Sequence, residues 1–153
     1  MINHEESSQN TFHEPEHPGS SGPLAIRIWH VYDKPIPAGY RVLVERLWPR
    51  GQRKTDLSLV NWARNLAPST ALRQWFHHDP ALWEEFRQRY LAELQDRVPE
   101  AQALLTAAAG QDLVLLYAAH DQQHNGALVL ADFLRGLVQE SHDQQHRATK
   151  LGN

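Results

Sequence analysis

A chain of 153 residues, 41% hydrophobic and 22% charged, has the size of one globular domain and enough apolar side chains to bury a core. It contains no cysteine, which excludes a disulfide framework, a thiolate nucleophile and a cysteine-bound zinc, while its ten histidines leave other metal chemistry open. No run of about 18 apolar residues could span a bilayer and the first residues lack a basic-then-apolar secretory signal, so a soluble cytoplasmic protein with no membrane partner is expected.

The formal charge is −3 and the sequence pI about 6.3. Residues 1 to 26 carry Glu5, Glu6, Glu14 and Glu16 and no lysine or arginine, which leaves residues 27 to 153 at +1. Such a near-neutral domain lacks the broad basic footprint of a protein that grips duplex nucleic acid through its phosphates, so duplex nucleic acid is not an expected partner. A local basic pocket remains open.

Residues 1–23 are rich in Ser, Asn, Gln, Glu, His, Pro and Gly, with Met1, Ile2 and Phe12 as the large apolar groups, too few to offset the entropy of ordering the segment. A disordered N-terminal tail is expected there, an α/β domain over 24–138, and a flexible C-terminal tail over 139–153 that carries His142 and His146.

From Ile26 to Tyr32 the pattern alternates, with Ile26 and Ile28 on one side and Arg27, Trp29 and Val31 on the other, which predicts a strand. Residues 33–39 form a turn-rich connector. Tyr40 to Trp48 reads as a second strand, apolar on both faces. The connector is too short for an ordinary helical crossover, so the two strands are antiparallel neighbours or parallel ones joined by an unusual loop. Glu45 and Arg46 point to opposite faces of that strand and each needs a partner. A structural ion pair is one answer, with Arg27 serving Glu45 and an acidic residue serving Arg46.

Helices follow. Thr55 or Asp56 can cap one in which Leu59, Trp62, Ala63 and Leu66 share a face before Pro68 stops it. Ser69 can cap a short helix through Phe76, and Asp79-Pro80 opens another with the stripe Trp83, Phe86, Tyr90 and Leu94. Pro99 starts a further helix that Gly110 ends in the left-handed conformation. Asp112 to Ala119 is almost continuously apolar, as in a strand covered on both faces, and a polar loop then leads into a helix with Ala127, Leu130, Ala131, Leu134 and Leu137 inward. The fold class is therefore α/β: a single compact domain with a small, mixed, mostly covered sheet flanked by helices in Rossmann-like layering.

In open α/β sheets ligands collect at the carboxyl ends of strands, near helix N-termini. Two segments meet that description, Trp48 to Gly51 and Tyr117 to Gly126. Arg46 and Arg50 would suit a phosphate or carboxylate if their strand lies beside the last one, with His124 and Asn125 at the helix entry and the Tyr117 hydroxyl directed to the same place. His77 and His78, just before the Asp79 cap, are the acid/base candidates. His120 and His124 lie on a loop and lack the third ligand of a zinc-protease pattern, so no metal is expected, and no cofactor.

The segments GYRVLVERLWPRG, LAPSTALRQWFHHDPALWEEFRQRYLAEL and LVLLYAAHDQQHNGALVLADFL together resemble the bacterial family named domain of unknown function 488, in its YeaO-like branch, over roughly residues 25 to 138. The resemblance implies a compact α/β fold in a bacterial cytoplasmic protein and implies no particular activity. In other branches of that family the last strand ends in a cysteine and the next helix opens with Cys-His-Arg. Here Tyr117 and Asn125-Gly126-Ala127 stand in those places, so thiol chemistry does not carry over, and the YeaO-like pattern tends to lysine at His120. What does carry over is the Arg46-Trp48-Pro49-Arg50-Gly51 motif, the segment Trp75 to Pro80, and His124-Asn125.

Two functions are open on this reading. One is a pocket for a small anionic ligand, a nucleotide or phosphorylated metabolite, formed by Arg46, Trp48, Arg50, Tyr117, His124 and Asn125. It requires Arg46, Arg50 and Asn125 to line one concavity. The other is a non-enzymatic interaction module that binds protein or single-stranded nucleic acid through a flat surface carrying Trp48 and Arg50.

Overall fold

The computed structural model describes residues 22–151. The tail expected over 1–23 therefore lies outside the described residues, Gly22 and Pro23 excepted. Four strands, β1 (Ala25–His30), β2 (Tyr40–Leu43), β3 (Asn61–Trp62) and β4 (Asp112–Tyr117), form one sheet in the order β1-β4-β2-β3. Every pairing is parallel. The α/β class is as expected, with the sheet parallel throughout instead of mixed. β1 and β2 are not neighbours: β4 lies between them, Ile28 opposite Leu115 on one side and Val42 opposite Leu115 on the other. Of the two alternatives for β1 and β2, the parallel one with an unusual connection holds.

β4 is central because it is apolar on both faces. Leu113, Leu115 and Tyr117 join one core cluster, while Val114 and Leu116 join the other, the period of two that a pleated strand imposes. The first cluster is covered by helices α2 (Thr70–Phe76), α3 (Trp83–Gln95), α4 (Val98–Ala107) and α5 (Gly126–Leu151). Leu130 and Leu134 of α5 are fully buried there, each stabilising the fold by about 1.5–3 kcal/mol through apolar area removed from water. The second face is covered by irregular chain, with Val31, Ile36, Trp48, Leu59 and the buried Leu57 of the short helix α1 (Lys54–Leu57).

The start signals act as expected. The Ser69 hydroxyl accepts from Leu72 N and Asp79 accepts from Ala81 N ahead of Pro80; Asn125, at the entry to α5, proves to be a cap too, its side chain accepting from Leu128 N. Gly110 takes φ +82° just past α4. α5 continues to Leu151, and its residues 139–149 are mostly exposed, in the stretch expected as a C-terminal tail with His142 and His146 at helical spacing.

The helix expected over 55–66 does not form. After α1, Ser58 turns left-handed at φ 48°, Val60 N donates to Arg41 O and Ala63 N to Leu43 O, so the chain becomes the edge strand β3 before a 3-10 turn at Arg64–Leu66. The apparent helical stripe is divided between the two faces of the sheet: Leu59 and Trp62 pack on one, Ala63 and Leu66 on the other. An unpaired β2 edge offers backbone bonds as good as those of a helix, and the apolar spacing satisfies both arrangements.

The second strand also stops early, at Leu43 and not Trp48. The loop before it is held by Arg41, whose guanidinium donates to the carbonyls of Pro37, Ile36 and Leu57. Gly39 then brings the backbone hard against β4: its φ is +143°, and a Cβ there would lie 2.5 Å from the Asp112 carbonyl oxygen. Gly39→Ala meets both a strained backbone and a clash with fixed main chain. It should cost about 2–3 kcal/mol of unfolding free energy, read as a lower urea midpoint at unchanged slope. An unchanged midpoint would show that the turn does not close on β4.

Candidate functional site

β2 leaves the sheet in a way that opens a space. Val44 N still donates to Leu116 O at 3.0 Å, but the next donor along β4, Ala118 N, is taken by the Glu45 carboxylate at 2.9 Å. A side chain replaces a rung of the ladder, and the main chain turns away with the Glu45 carbonyl accepting from Trp62 Nε1 at 2.6 Å. Burial pushes the Glu45 carboxyl above its ordinary 4.5, opposed by the Ala118 N–H and by the charges of Arg73, His78 and His30.

Beyond that turn lies a cavity of about 200 Å³ at the carboxyl ends of β2 and β4, lined by Val44, Glu45, Pro68, Arg73, Gln74, Phe76, His77, His78, Phe86, Ala119, His124, Asn125, Gly126 and Ala127. Its apolar wall is continuous with the core, where the rings of Phe76 and Phe86 stack at 4.3 Å. α2 delivers Arg73 and, one turn on, His77, because residues four apart share a helix face. His77 and His78 then hold left-handed backbones, φ 49° and 54°. That conformation costs a non-glycine residue about 1–2 kcal/mol and is often retained beside functional sites. The Arg73 guanidinium makes no hydrogen bond or ion pair among the described residues.

The opposite wall is the entry to α5. Asp121 organises it: its carboxylate accepts from Gln123 N, His124 N and the His124 Nδ1 at 2.9–3.0 Å, while its carbonyl accepts from the Asn125 amide. Those N–H donors, the Gln123 amide first and the His124 ring second, hold Asp121 below its usual carboxylate range. The His124 ring, edge-on to Trp83 at 5.3 Å, is thus fixed through Nδ1. Gly126 lets the first turn of α5 close on the chain before α2, since a Cβ there would lie 3.2 Å from Pro68 and 3.4 Å from Tyr90. The Gly126 and Ala127 amides at the positive end of α5 have no acceptor among the described residues.

Of the residues singled out from the sequence, His77, His78, His124 and Asn125 line this one cavity. Arg46, Trp48, Arg50 and Tyr117 do not. Arg46 donates to the carbonyls of Pro68 and Ala67, at 3.0 and 3.4 Å, so neither it nor Glu45 finds its answer in an ion pair. Arg27 cannot serve Glu45, because β4 stands between their strands; it lies 3.8 Å from Asp112. Trp48 packs into the second core face, edge-on to Trp62 at 5.3 Å, with Nε1 donating to Gln52 O. Arg50 is exposed, its carbonyl accepting from the Tyr32 hydroxyl. Tyr117 packs edge-on to His30 at 5.1 Å, and burial raises its hydroxyl above the usual phenol range. Glu45 and Arg73 were not among the candidates. The spacing of Arg73 to His77 was the available signal for the second, and a lone carboxylate in an apolar strand for the first.

Fold and cavity define a small single-domain α/β protein with its polar cavity at the carboxyl ends of parallel strands. The chain belongs to the family described as "Inactive DUF488-N3 subclade", whose family model matches residues 25–150, and to the YeaO-like branch of DUF488 that its motifs resemble. It is 48% identical to "Uncharacterized protein YeaO" of Escherichia coli over 115 residues, 74% of this chain and 100% of that one. It is 40% identical over 113 residues to "Uncharacterized protein Mb3100c" of Mycobacterium bovis and "Uncharacterized protein Rv3073c" of Mycobacterium tuberculosis, 72% of this chain and 94% of each relative. No solved structure matches. Among the described residues no helix is long and apolar enough to cross a membrane.

Because folding raises the Glu45 carboxyl, the unfolded chain releases this proton first as pH rises. Stability from this group is therefore full below pH 4.5 and declines as pH climbs through the raised native value. Glu45→Gln keeps an acceptor for Ala118 N–H and removes that decline. The variant should match the wild type in melting temperature below pH 4.5 and exceed it at pH 7, with the gap opening between. A gap that does not change with pH would mean that Glu45 is not buried in this way.

Proposed function

We propose that this chain binds a small anionic molecule of the phosphorylated-metabolite or nucleotide class in the cavity between α2 and α5, with Arg73, His77, His78, His124, Asn125 and the first amides of α5 as its contacts. The observation that carries the reading is Arg73: a partly buried guanidinium that faces a cavity with no acceptor in contact among the described residues is a donor set waiting for one. The amides at the start of α5 add partial positive charge on the facing wall. A space of about 200 Å³ holds a phosphate and a few further heavy atoms, which suits a small phosphorylated metabolite better than a whole nucleotide.

His77, His78 and His124 remain the acid/base candidates if a reaction occurs. The word "inactive" in the family description favours recognition over turnover. The interaction-module alternative draws less support, since its flat surface needs Trp48, and the ring and N–H of Trp48 are engaged inside the fold.

Inorganic phosphate and small phosphorylated metabolites should raise the melting temperature of the wild type, by the equivalent of about 2.7 kcal/mol at a hundredfold excess over Kd. Arg73→Ala should weaken that binding about ten- to a hundredfold, the loss of a charge-assisted bond. Arg50→Ala, outside the cavity, should leave it unchanged. An equal shift in Arg73→Ala, or none in the wild type, would end this reading.

A further inference from the structure

The same cavity carries a second charge that an anion leaves unanswered. Glu45 lines it from the β2 side; Oε2 accepts from Ala118 N, while Oε1 has no hydrogen-bond donor among the described residues. Among the described residues no cation lies within 4 Å of its carboxylate, on which Arg73, His78 and His30 act from farther off, so Glu45 and Arg73 face one space without touching each other. A partly buried carboxylate with no counter-charge in contact is costly, and so is a half-buried guanidinium without an acceptor.

Resting on the reading of the cavity as an anion site, we infer that its ligand is dipolar: a phosphate or carboxylate directed to Arg73 and the start of α5, and an ammonium or N–H donor directed to Glu45. One guest then answers both charges, and the walls of Val44, Phe76, Phe86 and Ala119 suit a short apolar link between its two ends. A purely anionic guest in so small a space would bring its charge near Glu45 and bind more weakly than a dipolar one. The cavity thus selects on the donor as well as on the anion, since leaving either protein charge unpaired discriminates more strongly than adding a contact.

The test compares matched pairs that differ only in the amino group by calorimetric titration: 2-aminoethyl phosphate against ethyl phosphate, and β-alanine against propionate. The wild type should bind the amino member of at least one pair about tenfold or more tightly, the worth of a charge-assisted hydrogen bond, and the pair that shows it identifies the anionic group. Glu45→Gln should weaken the amino member and strengthen its partner, bringing the two together, while Arg73→Gln should weaken both. If ethyl phosphate or propionate binds in an Arg73-dependent way and the amino member binds no better, the dipolar ligand is excluded and the anion site stands. If no probe binds the wild type, both readings fall together. The wild-type comparison stands whatever the variants' folding.

Discussion

The structure turns on the exit of β2 from the sheet at Glu45. By occupying Ala118 N–H with a side-chain oxygen, Glu45 completes the hydrogen bonding of β4 without requiring β2 to continue beside it. The chain is then free to turn outward, and the space that a longer β2 would have filled becomes the cavity. A carboxylate does this where a serine would not, because its second oxygen is left over and faces that space. Satisfaction of the sheet and polarity of the cavity come from one residue.

Arginines perform the matching task for irregular chain. Arg41 gathers the carbonyls of Ile36, Pro37 and Leu57, and Arg46 those of Ala67 and Pro68, in each case where a buried loop has no backbone partner for its own C=O groups. The sheet face without long helices is stabilised by the Arg41 ties together with the apolar packing of Trp48, Trp62 and Leu57, while the Arg46 ties lie on the helix-covered face. Arg46 also reaches the cavity indirectly, for Pro68 is the surface on which Gly126 seats the start of α5. Its part is to position a wall; the guanidinium facing the cavity is that of Arg73.

What could be read beforehand followed the strength of local signals. β4 was legible because an unbroken apolar run between polar loops has few alternatives, and the entry to α2 and the 3-10 turn ahead of α3 because Ser69 and Asp79 cap them by mechanisms that act within four residues. The segment from Thr55 to Leu66 was misleading for a reason that is not local: a helix and an edge strand with a 3-10 turn place the same four apolar residues in contact with a core, and only the open edge of β2 decides between them. The end of β2 was hidden likewise, since Val44 to Leu47 would suit a buried strand, yet Leu47 is 65% exposed. His77, His78, His124 and Asn125 could be found because they sit where helices begin or end at strand termini. Arg46 and Arg50 shared that position in sequence, but the direction in which the chain leaves a sheet is not written in its pattern.

That direction bears on what the cavity has become. The resemblance implies that other branches of the family carry thiols where this chain has Tyr117 and the Asn125-Gly126-Ala127 segment. Here Asn125 is engaged in capping α5 and Gly126 in packing on Pro68, so this wall offers main-chain amides and the His124 ring but no thiol, while Tyr117 lies outside the cavity against His30. The opposed charges of Glu45 and Arg73 have a different dependence. They come from the exit of β2 and from α2, elements whose placement owes nothing to a thiol. A reactive group can therefore be absent from one wall without disturbing the charged groups on the others, and the left-handed turn at His77 ends α2 with its N–H on the Arg73 carbonyl. A cavity with opposed charges on two walls and no thiol on the α5 side is consistent with the proposed binding role on an α/β frame.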